Sequence, residues 1–152
     1  MKGKLGPALL VITLVFNLIS ASAAAAGWFG TSEKEYCKRV IMNFIKMNDM
    51  SAELAKGGGR NTPDKERLAE KMQALIRNSI DDSTKVSDQF LDGIHPQLRV
   101  QFRQNLIRGG NLYLEGLETS DVSTQIKGLQ RLEAWDNFRR ANLNLLYDRI
   151  VK

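Results

Sequence analysis

An acid and a base lie close together on one predicted helix near the end of the chain. Asp136 and Arg139 are three residues apart and fill the two polar gaps in a heptad run of leucines. At this spacing a carboxylate and a guanidinium can pair on one helix face. A buried pair is costly unless both charges are satisfied, and it would then fix helix register or line a polar pocket. The favoured alternative leaves the pair at the surface, with the neighbouring aromatic rings turned inward.

Sulfur atoms concentrate in the first predicted helix. The candidate ligands of a soft metal ion are Cys37, Met42, Met47 and Met50. Thiolate and thioether groups suit Cu(I), and Met47 and Met50 have i, i+3 spacing. Methionines at helical spacing usually fill a core, and Cys37 shares an apolar face with Val40 and Phe44. We therefore predict no metal and no cofactor, and a soft-metal site at these four residues is the alternative.

The residues that catalyse most hydrolytic and metal-dependent reactions are missing from the sequence. His95 is the sole histidine, and its position before Pro96 is typical of a helix entry. One histidine cannot supply the common zinc and haem sites. No Gly-x-Ser-x-Gly nucleophile motif occurs. We predict that the protein is not an enzyme.

Large aromatic side chains indicate where a partner could bind. Trp28 and Phe29 are flanked by glycines, and Trp135 and Phe138 form a second apolar stripe beside the leucine run. Aromatic residues are enriched at protein interfaces. The predicted interaction residues are Trp28, Phe29, Trp135, Asp136, Phe138 and Arg139.

The beginning of the chain has the pattern of a secretory leader. Met1–Lys4 is basic, Leu5–Ile19 is almost wholly apolar, and Ala21–Ala26 consists of small residues. This order is typical of a cleavable signal peptide. Cleavage after Ala26 is favoured over cleavage after Ala23. The alternative is an uncleaved anchor, but the apolar part is short for a span of about 20 residues.

Cleavage divides the chain into a signal peptide at residues 1–26 and a single domain at residues 27–152. Loss of Lys2 and Lys4 would lower the net charge from +5 to +3. No basic run with interleaved aromatic residues is present, so we predict no nucleic-acid binding. We expect no stable membrane span after leader cleavage, and a periplasmic or secreted location in a bacterium.

Apolar residues recur at three- and four-residue steps along four segments, and this period predicts helices. Their expected limits are about 32–56, 63–91, 96–117 and 121–151. Ser32 with Glu35 forms a capping-box pattern, and Thr62-Pro63 is a second helix start. A break at residues 81–83 is the alternative to a continuous second helix.

No segment shows the period-two alternation of a strand, so the predicted class is all-α. Short turns between four helices favour an up-down-up-down four-helix bundle. The segment 121–151 carries two adjacent apolar stripes, and the other helices must cover it. We predict an exported, non-catalytic bundle that binds a protein or envelope component, including a second copy of itself. The alternative function is a small-ligand or soft-metal carrier in the bundle interior.

Overall fold

The computed structural model describes residues 32–56 and 62–152, and within these ranges all regular structure is helical. The elements are α1 Glu33–Ala55, α2 Pro63–Ser83, α3 Asp88–Ile94, α4 Leu98–Val100, the π-helix π1 Gln101–Ile107, α5 Arg108–Thr119, α6 Val122–Ala141, α7 Leu143–Leu146 and the π-helix π2 Tyr147–Val151. This confirms the all-α class for the described residues. The predicted leader, Trp28 and Phe29 lie outside the described residues.

Three helix starts have local caps that the sequence supplies. The Ser32 hydroxyl accepts a hydrogen bond from the Glu35 amide at 3.3 Å, and Thr62 accepts one from the Lys65 amide at 3.3 Å. The Asp121 carboxylate accepts from the amides that open α6, at 2.9 and 3.3 Å. Each side chain satisfies amides that have no partner within the helix. The ends of the helices are therefore set by short polar residues beside the apolar stripes.

The prediction of one continuous helix over residues 63–91 is wrong. α2 ends at Ser83 and α3 begins at Asp88. The Arg103 guanidinium holds the intervening turn, because it donates to the Ser83 carbonyl at 2.8 Å, to the Val86 carbonyl, and to the Asp88 carboxylate at 3.0 Å. A distant side chain thus satisfies carbonyl groups that a continuous helix would have paired internally.

α4, π1 and α5 form one continuous helix, called here the third long helix, because the residues at both junctions have helical dihedral angles. Its buried residues Leu98, Phe102, Leu106 and Gly110 follow one another at intervals of four. In an α-helix of 3.6 residues per turn, such a stripe drifts by about 40° at each step. The wider π-helical turn reduces this drift and keeps the stripe towards the core.

The predicted uninterrupted helix over 121–151 is also wrong, because α6 ends at Ala141. Asn142 has φ −118° and ψ 22°, and its side-chain amide donates to the Phe138 carbonyl at 2.9 Å. Asparagine competes for backbone carbonyls in this way and favours helix ends over helix interiors. The chain then resumes as α7 and π2. As a result Leu143, which belongs to the heptad run of leucines and was predicted to lie in a core seam with Leu132 and Leu146, is 37% exposed.

The helices pack as two antiparallel pairs. In the first, Arg39 of α1 bonds Asp82 near the end of α2, and Ser51 lies against Met72 in its middle. In the second, the third long helix lies along α6. The third long helix runs parallel to α1, because an added Cβ at Gly110 would touch the Phe44 ring and the charge of Arg103 acts on Cys37.

Buried apolar side chains from α1, α2, α3, the third long helix, α6, α7 and π2 form a common core. Its fully enclosed members include Phe102, Met72, Ile76, Leu91, Leu98, Leu106 and Ile150. No helix within the two described ranges is both long and apolar enough to cross a lipid bilayer.

Candidate functional site

A carboxylate with two guanidinium partners lies near the end of α6. Arg139 donates from Nε and Nη2 to Oδ1 of Asp136 at 3.1 and 2.9 Å. Arg140 donates from Nε to Oδ2 at 2.6 Å. The three- and four-residue spacings place both bases on the acid's side of the helix. We call Asp136, Arg139 and Arg140 the ion cluster; it carries one negative and two positive charges.

The ion cluster is buried on its acidic side. The side chains of Asp136 and Arg139 are 4% and 12% exposed, whereas that of Arg140 is 51% exposed. The favoured prediction of a surface pair is therefore wrong, and the alternative of a buried pair is correct. Burial is tolerated because charged donors satisfy both oxygens of the carboxylate. Arg140 was not among the predicted site residues, although its position four residues after Asp136 was a visible signal.

The aromatic residues of α6 also turn inward. Trp135 and Phe138 are 4% and 8% exposed. Trp135 meets the edge of the Phe102 ring at 6.4 Å between centroids, and Phe138 meets His95 at 5.3 Å. These edge-on contacts are favourable for aromatic rings. Both side chains thus contact the chain's own core, which removes them from the surface available to a partner.

α1 packs against α2, and α6 packs against the third long helix, but α1 and α6 approach each other much less closely. An apolar groove lies between them, and residues of the third long helix also line it. Its lining residues are Ile41, Phe44, Ile45, Met47, Asn48, Ser51, Leu106, Tyr113, Leu129, Leu132, Trp135 and Arg139. Its volume is about 520 Å³, which includes the part open to solvent. The groove is therefore a partly open site rather than an enclosed cavity.

Polar groups in the groove are mostly neutral. The Ser51 hydroxyl lies 3.0 Å from the Met47 carbonyl and 3.4 Å from the sulfur of Met72. Burial raises the pKa of the Tyr113 hydroxyl to about 12, so the phenol stays protonated. Asn48 is 6% exposed. Formal charge among the lining residues comes from Arg139, which joins the groove to the ion cluster.

Three glycines let α6 and the third long helix approach at the backbone. A Cβ at Gly128 would lie 2.5 Å from the Tyr113 amide nitrogen, and one at Gly116 would lie 2.5 Å from the Gln125 amide nitrogen. A Cβ at Gly109 would lie 3.1 Å from the Gly128 carbonyl oxygen. We call Gly109, Gly116 and Gly128 the glycine seam. The signal in the sequence for such a contact is a glycine inside an apolar helical pattern, where it lowers helix propensity.

Gln125 packs against Gly116 of the glycine seam and is 2% exposed. Its side-chain Nε2 donates to the Gly116 carbonyl at 3.0 Å. Its Oε1 is the buried side-chain atom that has no hydrogen-bond partner among the described residues. An enclosed acceptor of this kind costs free energy. No sequence pattern distinguished this glutamine from one on a solvated helix face.

The four candidate metal ligands do not come together. Cys37 and Met47 are ten residues apart on α1, which is a rise of about 15 Å. Cys37 is fully buried, and burial raises the pKa of its thiol to about 12, although the charge of Arg103 acts in the opposite direction. A protonated thiol is a poor metal ligand. Met42 and Met50 are only partly buried.

Among the described residues there is no group of three or more histidine, cysteine, aspartate and glutamate side chains placed to hold a metal ion. His95 lies in the turn before α4, where its Nδ1 accepts a hydrogen bond from the Gln97 amide at 3.1 Å. This bond and the contact with Phe138 fix the ring at the entry to α4. The geometry therefore gives His95 a structural role.

Comparison with known protein families, curated protein sequences and solved structures finds no match for this chain. Function is therefore argued from its own side chains, chiefly the ion cluster, the groove and the few exposed apolar residues.

Proposed function

We propose that this is an exported, non-catalytic protein that acts by binding a protein or a component of the cell envelope. Export is supported by the basic start at Met1–Lys4, the apolar stretch Leu5–Ile19 and the small residues Ala21–Ala26. Cleavage after Ala26 places residues 27–152 in the periplasm or outside the cell. N-terminal sequencing of the protein from a bacterial periplasmic fraction tests this step, and a chain that retains its leader in the membrane contradicts it.

We further propose that the mature chain is an up-down-up-down four-helix bundle. The support comes from two antiparallel pairs, α1 with α2 and the third long helix with α6. It also comes from the parallel course of α1 and the third long helix. Helices in this order, joined by short connections, are the usual up-down arrangement.

Two exposed apolar side chains on the last helical segment carry the binding proposal. Leu143 and Tyr147 are 37% and 38% exposed, and their spacing of four residues puts them on one helix face. The kink at Asn142 turns this face out of the core seam that the sequence predicts for Leu143. An apolar pair of this kind is a suitable centre for a small docking surface.

Site-specific photocrosslinking in the envelope tests this surface. A photoreactive phenylalanine analogue at Tyr147 is expected to give one discrete adduct, which the added substitution Leu143→Asp abolishes. The same analogue at Gln130, an exposed residue of α6, is the control and should give none. An adduct at twice the chain mass identifies a second copy as the partner. Absence of a discrete adduct at Tyr147 overturns the proposal.

The groove between α1 and α6 favours a second candidate function, a carrier of a small ligand in the bundle interior. Its walls are mostly apolar, and among the described residues that line it Arg139 carries the formal charge, which is the common composition of ligand sites. The scattered positions of Cys37 and the methionines give no support to the soft-metal form of this function. Native mass spectrometry of the protein purified from its own compartment is expected to show a retained small molecule. A ligand-free mass excludes the carrier.

A further inference from the structure

We propose that two copies of this chain form a dimer by exchanging α7 and π2, residues 143–151, which we call the closing segment. Each copy then covers the core of the other with its own Leu146 and Ile150, which are buried. The inference goes beyond the proposed binding surface, because it concerns the opposite, buried face of the same segment. Three observations support it: the bend at Asn142, the position of that bend at the end of the bundle, and the exposed apolar side chains around it.

The bend between α6 and the closing segment involves a single residue. Asn142 has φ −118° and ψ 22°, and it lies between two helical segments. The hydrogen bonds of an α-helix nevertheless continue across it, because the Asn142 amide donates to the Phe138 carbonyl at 3.1 Å and the Leu146 amide donates to the Asn142 carbonyl at 3.0 Å. Leu132 and Leu146 are also two heptads apart in the sequence. A change in the backbone angles of Asn142 therefore joins α6 and the closing segment into one straight helix.

The bend lies where α6 passes the end of its neighbour. Phe102 of the third long helix meets Trp135 of α6, and His95, which precedes the third long helix, meets Phe138. Because the two helices are antiparallel, a straight continuation of α6 runs past the beginning of the third long helix. Residues 143–151 would extend about 14 Å in that direction. The closing segment of a straight chain therefore leaves the core that it covers in the bent chain.

A straight chain opens its own core and carries the cover for another. Leu146 and Ile150 are 4% and 0% exposed, and π2 lies against α1. Exposing both side chains to water is unfavourable, so the straight chain is stable only when a second copy supplies the same two residues. Exchange between identical chains restores the contacts of the closing segment in both copies and gives a dimer with two-fold symmetry.

Exposed apolar side chains lie at the same end of the bundle. Val100, near the beginning of the third long helix, is 53% exposed, and Leu143 and Tyr147 of the closing segment are 37% and 38% exposed. An exchanged dimer brings two such ends together around its two-fold axis, which places these side chains next to the other copy. The apolar area covered in this way exists only in the dimer, and it favours the dimer over two separate chains.

Refolding at different protein concentrations tests the exchange. The closing segment must leave one core before it enters another, so we expect dimers after refolding from urea at high protein concentration, measured by size-exclusion chromatography with light scattering. Asn142→Ala should raise the ratio of dimer to monomer at least tenfold, because alanine favours a straight helix and the side-chain bond to the Phe138 carbonyl is lost. Asn137→Ala, at an exposed residue of α6, is the control and should leave the ratio unchanged.

A distance within one chain distinguishes exchange from a side-by-side dimer. Gln130→Cys and Asp148→Cys introduce spin labels at two exposed positions, and labelling the folded protein spares Cys37, which is fully buried. Labelled chains are refolded with an excess of unlabelled chains, and pulsed electron paramagnetic resonance measures the distance. In a straight helix the two positions lie on one face about five turns and about 27 Å apart. The bend at Asn142 makes this distance shorter in the monomer.

The results separate the exchange from the proposed binding surface. A dimer with the longer distance within each chain supports the exchange. A dimer that keeps the distance of the monomer is a side-by-side dimer, which overturns the exchange and leaves the binding surface intact. A folded Asn142→Ala variant that stays monomeric at every concentration also overturns the exchange. The distance measurement needs no change at residue 142, so it decides the question even where Asn142→Ala fails to fold.

Discussion

The two sides of α6 pack against their neighbouring helices in different ways. Towards the third long helix, α6 presents Gly128, and the backbones approach until no side chain fits between them. Towards α1, Leu129, Leu132 and Trp135 line a groove that remains open, although Leu132 and Trp135 also lie against the third long helix. Tight packing here comes from the absence of side chains, while the large apolar side chains hold the neighbouring helix at a distance.

The difference follows from what each side chain would meet. A Cβ at Gly128 would encounter backbone atoms of Tyr113 and Gly109, which cannot move without moving the whole helix. On the groove side, Leu129 is partly buried and borders open space. A protein interior tolerates added volume only where neighbouring groups can yield. The glycine seam should therefore determine stability, and the groove should be free to vary or to bind.

The largest effect is expected from Gly128→Ala. The added Cβ would lie 2.5 Å from the Tyr113 amide nitrogen and 2.8 Å from the Gly109 carbonyl oxygen. α6 and the third long helix must separate, which should lower the free energy of unfolding by about 3 kcal/mol. Urea denaturation followed by circular dichroism measures this change.

Gly93→Ala is the matched control for this prediction. Gly93 lies within α3, and a Cβ added there has nothing within 4 Å. Alanine is the better helix former, so stability should rise, by up to about 1 kcal/mol. If Gly128→Ala also stabilises the protein, the glycine seam is not a close backbone contact and the contrast between the two sides of α6 fails.

Asp136→Asn tests whether the ion cluster at the groove's end is part of the rigid structure. It removes the charge on which both guanidinium groups converge. Breaking a fully buried pair costs about 3–5 kcal/mol. Because asparagine still accepts hydrogen bonds and Arg140 is half exposed, we expect Asp136→Asn to lower the free energy of unfolding by about 2 kcal/mol. Thermal and urea unfolding provide the measurement.

Arg140→Gln and Arg139→Gln measure how much each base contributes to the stability of the ion cluster. Replacing the half-exposed Arg140 should lower the free energy of unfolding by less than about 1 kcal/mol. Replacing the buried Arg139 should lower it by more. In the double variant of Asp136→Asn with Arg139→Gln the losses should not add, because the residues interact directly. Equal and additive effects would show that the cluster behaves as a surface pair.

Local patterns in the sequence were sufficient for the all-α class and for the starts of α1, α2 and α6. Ser32, Thr62 and Asp121 cap helices through hydrogen bonds to residues two or three positions ahead, so a short window contains the whole interaction. The break after Ser83 is different. Val86 and Phe90 continue the apolar stripe of α2, and the turn is held by Arg103, which lies about twenty residues further on. Periodicity alone cannot reveal a contact at that distance.

The site was predictable only in part for a related reason. The spacing of Asp136 and Arg139 showed that they pair, but burial depends on what covers them. The third hydrogen-bonding partner, Arg140, is adjacent in sequence and half exposed, so it resembles any surface arginine. The groove arises from the distance between α1 and α6, which no pattern along either helix encodes. Gly128 had a local signal, but only its neighbours across the interface explain it.

Leu129→Phe, one residue from Gly128, sharpens the contrast between the two sides of α6. It adds three carbon atoms where Gly128→Ala adds one, yet Leu129 is partly buried and lines the groove. Because open space adjoins it, we expect a change of less than about 1 kcal/mol in the free energy of unfolding. Urea denaturation under the same conditions as for Gly128→Ala gives the comparison. A loss as large as that of Gly128→Ala would mean that the groove side is equally rigid.

The pair of α1 and α2 offers a third type of contact, in which charged side chains join the helices at the surface. Arg39 donates from Nε and Nη2 to the Asp82 carboxylate at 2.9 and 3.0 Å. These hydrogen bonds hold the pKa of the Asp82 carboxyl below its ordinary value. A depressed pKa stabilises the folded state above the ordinary pKa of about 4, and this contribution disappears as the pH falls through the lower, folded value.

Asp82→Asn should therefore lower stability at neutral pH and flatten part of its decline in acid, below about pH 4. Because the Arg39 side chain is 47% exposed, solvent screens the pair and the effect should be below about 1 kcal/mol. Urea midpoints between neutral pH and acid measure it. Glu133→Gln is the control, since that residue is exposed in the middle of α6 and its loss should leave the midpoints nearly unchanged. If the stability of Asp82→Asn still declines in acid as steeply as that of the unchanged protein, groups other than this ion pair cause the decline. The surface pair then contributes less to stability than either side of α6.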